Sequence, residues 1–270
     1  MLLREVEYAR PASVQDALRL LGSNDGARAL AGGQTLVNVM KARAASPDAL
    51  VDLADLEELK GIELGSDGTL DIGAMVTYSE LMASAEAKAR PILPEVAGQI
   101  ADVQVRNRGT IGGNVCSNDP TNHFPPLVVA LGVRMTIASA AGERTVPADE
   151  FFLGVYMTAA GPGELLTRIT IPPGGSDGFA AVTIGKDGTC IVNAAAHVNG
   201  GTPRIAIGCV AAVPAVVEPS SAEEDAVREA VRGASLDPPA DVHASSDYRR
   251  QVAEVLAARA VAQAQQRSRG

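Results

Sequence analysis

The stretch Arg106–Pro126, RNRGTIGGNVCSNDPTNHFPP, constrains the fold more than any other part of the chain. At its centre, Thr110-Ile111-Gly112-Gly113-Asn114 sets two adjacent glycines between hydroxyl and amide side chains. Adjacent glycines in a turn let backbone N–H groups approach a ligand with no Cβ in the way. Consecutive N–H groups aimed inward make a concave anion site, suited to phosphate or pyrophosphate. Arg106 and Arg108 flank this centre, in a chain whose net charge is -9. A second stretch of the same kind, Ala31-Gly32-Gly33-Gln34-Thr35-Leu36, follows the apolar pair Ala29-Leu30. A strand-like segment there runs into Gly-Gly and out into a helix-like segment, Leu36–Ala42, which gathers N–H groups and a helix N-terminus at one point. Neither stretch is GxxxxGK[ST] or GxGxxG, so the ATPase and Rossmann fingerprints do not apply. Taken singly, each also reads as a plain tight turn.

Around these stretches the periodicity alternates between helix and strand. Val14, Ala17, Leu18 and Leu21 fall at i, i+3, i+4 and i+7, a helix that Ser13 caps. Strands are expected at Ala27–Leu30 and Ala49–Leu53, then at Leu59–Leu64 and Thr69–Gly73 across a Gly65–Gly68 turn. Thr77-x-x-Glu80 is a capping box, and a helix from Ile92 to Asp102 leads into the second glycine stretch. A helix-like Leu127–Leu131 follows Pro125-Pro126, and Val133, Met135 and Ile137 alternate as a strand. Pro172–Gly178 reads as a turn-rich linker. Beyond it lie strands Ala180–Ile184, Cys190–Val198 and Arg204–Val213, with Asn199-Gly200-Gly201 as a hairpin signal. Helices near Ala222–Arg232 and Ser246–Gln263 close the chain; Tyr248, Val252, Val255 and Leu256 form the expected apolar face of the last, and its Gln/Arg-rich end is expected to fray.

Bulk composition limits the function classes. The 270 residues allow one large domain or two modest ones with a real core. Aromatics make up 3% of the chain and Trp is absent, so Ala, Val, Leu and Ile must build the core, and no indole can stack on a planar ligand. The negative charge argues against nucleic acid or an anionic membrane as partner. Cys116, Cys190 and Cys209 are widely spaced and no CxxC occurs. None reads as an iron–sulfur or zinc ligand; Cys190 and Cys209 read as small buried hydrophobes in a reducing compartment, while Cys116, beside the second glycine stretch, is open to either a structural or a site role. The first residues, MLLREVEYARPAS, lack a basic region followed by an apolar core. The longest apolar run, Ile205–Val217, is too short for a bilayer and contains Pro214. A soluble, cytoplasmic protein is the expectation.

AGGQTL together with RNRGTIGGN resembles the FAD-binding subunit of the molybdenum hydroxylases, the xanthine dehydrogenase and carbon monoxide dehydrogenase group. The resemblance runs through Arg10-Pro11, Val51-Asp52-Leu53, Ile72-Gly73-Ala74, DEFFLG at Asp149–Gly154, PGELL at Pro162–Leu166, and Tyr248-Arg249-Arg250. The expected fold is α+β: a two-lobed FAD-binding domain over 1–173 (lobes about 1–55 and 56–173), then a C-terminal domain, 178–270, of three antiparallel strands and two helices. The resemblance implies that Ala29, Leu30, Ala31, Gly32, Gly33, Gln34, Thr35 and Leu36 hold the FAD pyrophosphate and ribityl chain from one side. Thr110, Ile111, Gly112, Gly113 and Asn114 would hold them from the other, the threonines through hydroxyls and the glycines through backbone N–H. Charge-assisted bonds to phosphate are among the stronger in proteins. Leu166 matches a family position whose backbone contacts the isoalloxazine, and Asn118 and Asp119 lie within reach of the flavin. His123 stands where many members carry an acidic residue that hydrogen-bonds the flavin nucleotide; a neutral imidazole still offers one donor and one acceptor. Near Thr183–Lys186 the family often has a Lys followed by paired basic residues; here Thr183 stands with Lys186 displaced, and Lys186 is the candidate cation. His197 and His243 read as structural.

No Ser-His-Asp order, carboxylate pair or metal cluster offers a catalytic centre, so catalytic and metal residues are expected to be none. The resemblance implies an electron-transfer subunit of a molybdenum hydroxylase complex. A large subunit would carry the molybdopterin cofactor, a small subunit two [2Fe–2S] clusters, and the assembly would be a dimer of heterotrimers. Two other readings stay open on the sequence: a free-standing FAD-dependent oxidoreductase, and an assembly subunit that has lost its flavin.

Overall fold

The structure, a computed structural model, describes residues 3–185 and 188–269. The first unit runs β1 (Glu7–Ala9), α1 (Val14–Gly22), β2 (Ala27–Leu30), α2 (Leu36–Lys41) and β3 (Ala49–Asp52). Its three strands are parallel in the order β1-β3-β2, the geometry that helical crossovers permit. Ser13 starts α1 as the sequence indicates, its Oγ accepting from Asp16 N at 3.1 Å. Ala17, Leu18 and Leu21 of that helix are buried in one cluster with Ala27, Val51 and Leu53, each leucine worth roughly 1.5–3 kcal/mol in transfer from water.

Next come β4 (Ile62–Leu64), β5 (Leu70–Gly73), α3 (Tyr78–Ala83), α4 (Ile92–Gly98), α5 (Val103–Arg106), α6 (Ile111–Ser117) and α7 (Phe124–Ala130). After them lie β6 (Arg134–Ser139), β7 (Gly142–Pro147), α8 (Ala148–Phe151), β8 (Phe152–Gly154), β9 (Met157–Thr158) and β10 (Leu165–Ile171). A five-stranded antiparallel sheet, β4-β5-β10-β6-β7, backs these helices. The capping box is complete: Thr77 N donates to Glu80 Oε2 at 2.8 Å and Glu80 N to Thr77 Oγ1 at 3.2 Å. The helix expected to reach Asp102 stops at Gly98 instead. Ala101 takes a left-handed φ of +41°, and Asp102 caps a fresh helix, α5, by accepting from Val105 N at 2.9 Å. In the core, Tyr78 stacks on Phe124 with ring centroids 5.9 Å apart.

The third unit is β11 (Ser176–Ile184), β12 (Thr189–Val198), β13 (Arg204–Gly208), β14 (Ala215–Val217), α9 (Glu224–Gly233) and α10 (Ser246–Ser268). Its antiparallel sheet has four strands, β11-β12-β13-β14, where three were expected. The run read as one strand, Arg204–Val213, ends at Gly208; the left-handed Cys209 (φ +66°) turns the chain, and Ala215–Val217 returns to pair with Ile205–Ile207. The helical pair α9 and α10 covers one face of the sheet through Val192, Ala194 and Ala196. Ala195, one residue out of phase, belongs with Phe179 and Ala206 to the core shared with α7, as the two-residue period of a strand requires.

Two expectations about this unit change. The buried stripe of α10 is Ala253, Leu256, Ala257, Ala260, Val261 and Ala264, while Tyr248 is 46% exposed. Small alanines let the helix settle on β11 and β12; of the four residues expected on this face, Leu256 is buried and Val252 packs at its margin, while Tyr248 points away. The end of α10 is also pinned: Gln263 Oε1 accepts from Phe179 N at 3.0 Å, and Arg267 Nη1 donates to Asp177 O at 2.7 Å. The linker at Pro172–Gly178 is held just as firmly. Arg90 donates from Nη1 to the carbonyls of Pro172 and Gly174 at 2.9 and 2.6 Å, and its Nε and Nη2 fork onto the Asp177 carboxylate at 3.0 Å each.

Candidate functional site

The first glycine stretch is the loop between β2 and α2. Gly33 holds a φ of +71°, a left-handed conformation open to glycine at little cost. The carbonyls here are tied back: Gln34 Nε2 donates to Gly32 O at 3.0 Å, Val37 N to Gly33 O at 3.2 Å, and Asn38 Nδ2 to Gln34 O at 2.7 Å. The amides are not. Among the described residues, the backbone N–H groups of Gly32, Gly33, Gln34 and Thr35 have no protein acceptor. A row of free amides with satisfied carbonyls is an anion-binding arrangement. Because α2 has only six residues, the row of amides and not a long helix dipole supplies the positive field.

The second glycine stretch differs from the expected open turn. Thr110 is the N-cap of α6, and Gly112 and Gly113 lie in its first helical turn. Its amides are spent inside the protein: Ile111 N donates to Val76 O and Gly112 N to Ala74 O, both at 2.9 Å, and Gly113 N to Thr110 Oγ1 at 3.0 Å. The expectation that Gly112 and Gly113 present free N–H groups is therefore corrected. Both glycines serve close packing. A Cβ on Gly112 would lie 2.5 Å from Ala74 O, and one on Gly32 would lie 2.1 Å from Arg108 O. The second contact brings the two stretches together, with Ala31 also against Gly113.

Beside the first turn is a cavity of about 260 Å³, lined by that turn and by Val37, Asn38, Lys41, Asp52 and Arg108. Among the described residues, Lys41 and Arg108 have no carboxylate partner. Asp52 is engaged, accepting from the Tyr8 hydroxyl and from Ala54 N at 2.9 Å; this acceptor holds the exposed Tyr8 hydroxyl above its ordinary value. Arg106, expected to flank the site, instead donates to the carbonyls of Ile100 and Ala101 at 2.9 and 2.6 Å. Free amides, two cations and an asparagine around one cavity suit a phosphorylated ligand. Small-molecule sites run to roughly 300–1,000 Å³, so the cavity accommodates the phosphate portion of a dinucleotide.

The remaining candidates are spread around this centre. Asn114 is 9% exposed, and its Oδ1 has no partner. Beside it the Tyr78 hydroxyl is pushed up by burial, and the Asn114 side chain opposes that shift. Asn118, at a left-handed φ of +38°, ends α6 and ties down the β8–β9 hairpin: Nδ2 donates to Gly154 O at 2.6 Å, and its carbonyl accepts from Tyr156 N at 3.1 Å. His123 is buried, 4% exposed, with Nδ1 at 3.3 Å from Asn193 Nδ2 and its ring 5.3 Å from that of Phe179. Leu166 is buried in β10, paired with Ile137, on a strand that packs against α6. Lys186 lies outside the described residues. Sequence reading missed Lys41, Asn38 and Asp52. A signal existed for each: Val37, Asn38 and Lys41 share one face of α2, and Asp52 ends the central strand of a parallel sheet, where ligands of such sheets bind. Among the described residues, no group of three or more His, Cys, Asp or Glu is placed to hold a metal, and no helix is long and apolar enough to cross a membrane.

Residues 4–174 match the family described as the FAD binding domain in molybdopterin dehydrogenase. The carbon monoxide dehydrogenase medium chain of Afipia carboxidovorans is 37% identical, with all of both chains covered. The glyceraldehyde dehydrogenase medium chain of Sulfolobus acidocaldarius is 34% identical over 95% of this chain and 97% of its own. Among solved structures, reconstituted CO dehydrogenase from Oligotropha carboxidovorans superposes with a TM-score of 0.93 at 34% identity, covering 99% of this chain and 100% of that one. With free amides and unpaired cations at the turn that carries the family's glycines, the chain belongs to the family of FAD-binding subunits of molybdenum hydroxylases.

Proposed function

We propose that this chain binds FAD between the two glycine stretches and passes electrons within a molybdenum hydroxylase complex. The observation that carries this reading is the set of unpartnered amides at Gly32, Gly33 and Gln34, residues that line the same cavity as Lys41 and Arg108. Bound FAD supplies reversible two-electron oxidation and reduction, while the protein holds and orients it. In this reading Ala29–Leu36 cradle the pyrophosphate, with Lys41 and Arg108 neutralising its charge. Thr110–Asn114 position that cradle by packing, and the Asn114 amide oxygen is left free for a donor. Leu166, Asn118, His123 and Lys186 belong to the flavin end. Residues 1–173 would hold the nucleotide and 178–270 would close over it. A large molybdopterin subunit and a small [2Fe–2S] subunit complete a cytoplasmic assembly, a dimer of heterotrimers. The free-amide cradle favours a flavoprotein over a flavin-free assembly subunit.

The test is a flavin titration of the purified chain. Lys41→Ala and Arg108→Ala should each weaken FAD binding by about 1–2 kcal/mol, the scale of a charge-assisted hydrogen bond less some solvation, with circular dichroism unchanged. Equal dissociation constants in both variants and the wild type would remove the cradle assignment. The isolated FAD-loaded chain should keep its yellow band under anaerobic conditions with aldehydes or heteroaromatic compounds, and lose it with dithionite. Bleaching by such a substrate without partner subunits would favour a free-standing oxidoreductase instead.

A further inference from the structure

The cavity beside the first glycine turn holds a group that phosphate binding does not need. Asp52 lines it together with Gly32, Gly33, Gln34, Lys41 and Arg108. A carboxylate opposes an anion in the same space, so it points to a second kind of ligand group, one that donates hydrogen bonds. Strand register puts Asp52 there. It is the last residue of β3, the central strand of the parallel sheet, and its Cα pairs with that of Leu30, the last residue of β2. Leu53 N donates to Leu30 O at 3.0 Å, which holds the chain after Asp52 against the start of the turn. Ligands of parallel sheets bind beyond such carboxyl ends.

Asp52 is half-buried, and each of its oxygens accepts one bond from the protein. Ala54 N donates to Oδ1 at 2.9 Å, and the Tyr8 hydroxyl donates to Oδ2. An ionised carboxylate has about four acceptor positions, so two remain for a ligand. Tyr8 is 55% exposed, so its bond does not serve to bury the phenol; it uses an open hydroxyl to fix the direction of a carboxylate. Asn38, which lines the same cavity, commits Nδ2 to Gln34 O at 2.7 Å and keeps Oδ1 as a further acceptor. The cavity is thus divided. Donors and positive charge lie at the turn, Lys41 and Arg108, and acceptors at Asp52 and Asn38. A ligand that fills both parts carries phosphate beside hydroxyls, as the sugar of a nucleotide does.

On the reading that FAD lies in this cradle, we propose that Asp52 accepts hydrogen bonds from the ribose hydroxyls of its adenosine half, and that Tyr8 is a positioning residue that fixes the carboxylate for them. Place in the fold decides between the ribose and the ribityl chain. The flavin end assigned above lies with α6 and β10, and α6 meets the end of β2 where Gly113 stands against Ala31. Asp52 and Tyr8 stand on β3 and β1, one and two strands removed from β2. The adenosine half is therefore the part of FAD that reaches them. The charge of Asp52 also sets a limit on that ribose: free hydroxyls are accepted, and a phosphate on one of them is repelled.

The experiment displaces FAD from the full chain, followed by flavin fluorescence, with ADP, 2′,3′-dideoxy-ADP and FMN as competitors. The wild type should favour ADP over 2′,3′-dideoxy-ADP by about tenfold, the scale of a charge-assisted hydrogen bond. In Asp52→Ala that preference should disappear, with FMN competing as it does against the wild type. Tyr8→Phe should reduce the preference while leaving the melting curve unchanged. Asp52→Asn keeps the shape and removes the charge, so it should gain affinity for adenosine 2′,5′-bisphosphate, which the wild type should reject. Equal displacement by ADP and 2′,3′-dideoxy-ADP in the wild type overturns the proposal, as does a preference that survives in Asp52→Ala. Weaker competition by FMN and unchanged competition by ADP in Asp52→Ala would place the carboxylate at the ribityl chain and overturn it as well. If neither ADP nor inorganic pyrophosphate displaces FAD, the cradle reading itself fails, and the ribose assignment falls with it.

Discussion

At the scale of single residues, the adjacent glycines divide into different tasks. Gly112 is bare because Ala74 occupies the space a Cβ would fill, at 2.5 Å from its carbonyl oxygen and 2.6 Å from its Cβ. Gly112→Ala is therefore expected to cost about 1–3 kcal/mol of folding stability, the range for forcing a methyl into a filled core, seen as a lower denaturation midpoint in urea. Gly33→Ala meets side chains only at 3.3 Å but must hold φ +71°, a conformational cost of about 1–2 kcal/mol. Asn193 and Phe179 hold the buried His123 ring in place. His123→Ala should lower stability by about 1–3 kcal/mol through the lost bond and the stranded Asn193 amide. An unchanged melting curve would show that the ring is held by nothing that matters to the fold.

Among the elements, α6 has the most exposed weakness. It is short, its first turn contains two glycines, and Thr110 supplies its cap through a bond of 3.0 Å from Gly113 N. Thr110→Val keeps the shape and removes the acceptor. About 1 kcal/mol of stability should be lost, the usual worth of an N-cap, and Thr110→Ser should recover most of it. Since α6 carries the packing face that seats the first glycine turn, flavin retention in Thr110→Val should fall along with stability. Full retention after gel filtration would uncouple α6 from the cradle.

For the whole molecule, the fork of Arg90 on Asp177 joins the middle of the chain to the start of the C-terminal sheet. Both side chains are almost fully buried, 6% and 4% exposed, and His197 Nδ1 adds a third contact to the same carboxylate at 2.7 Å. Removing one partner of a buried pair leaves the other charge unpaired, so Arg90→Ala should cost about 3–5 kcal/mol. A control at the surface pair Arg19–Asp16, whose side chains are 67% and 34% exposed, should cost less than about 1 kcal/mol. Thermolysin should also cut Arg90→Ala faster at the end of Pro172–Gly178, before Phe179, because the carbonyls of this segment have lost their donor. Similar proteolysis of variant and wild type would mean that this segment is held by other contacts.

What the sequence determined by itself is local. Ser13, the Thr77–Glu80 box and the strand-Gly-Gly-helix pattern at Ala29–Leu36 each act within a few residues, so their hydrogen bonds follow from spacing alone. The family resemblance reached further because several motifs recur in one order. Tertiary structure decided the rest, and the reason is competition for the same groups. Gly112 and Gly113 could face a ligand or the protein; Ala74, Val76 and Thr110, brought up by packing, took the amides of this turn. Arg106 and Arg108 are two residues apart, yet one is consumed by the carbonyls of Ile100 and Ala101 and the other lines the cavity. The inner face of α10 was set by how closely alanines let it approach the sheet, a property of two surfaces meeting. The meeting of Asn193 with His123, from distant parts of the chain, is of the same kind: no spacing in the sequence announces it, and only the packing of α7 on β12 brings it about.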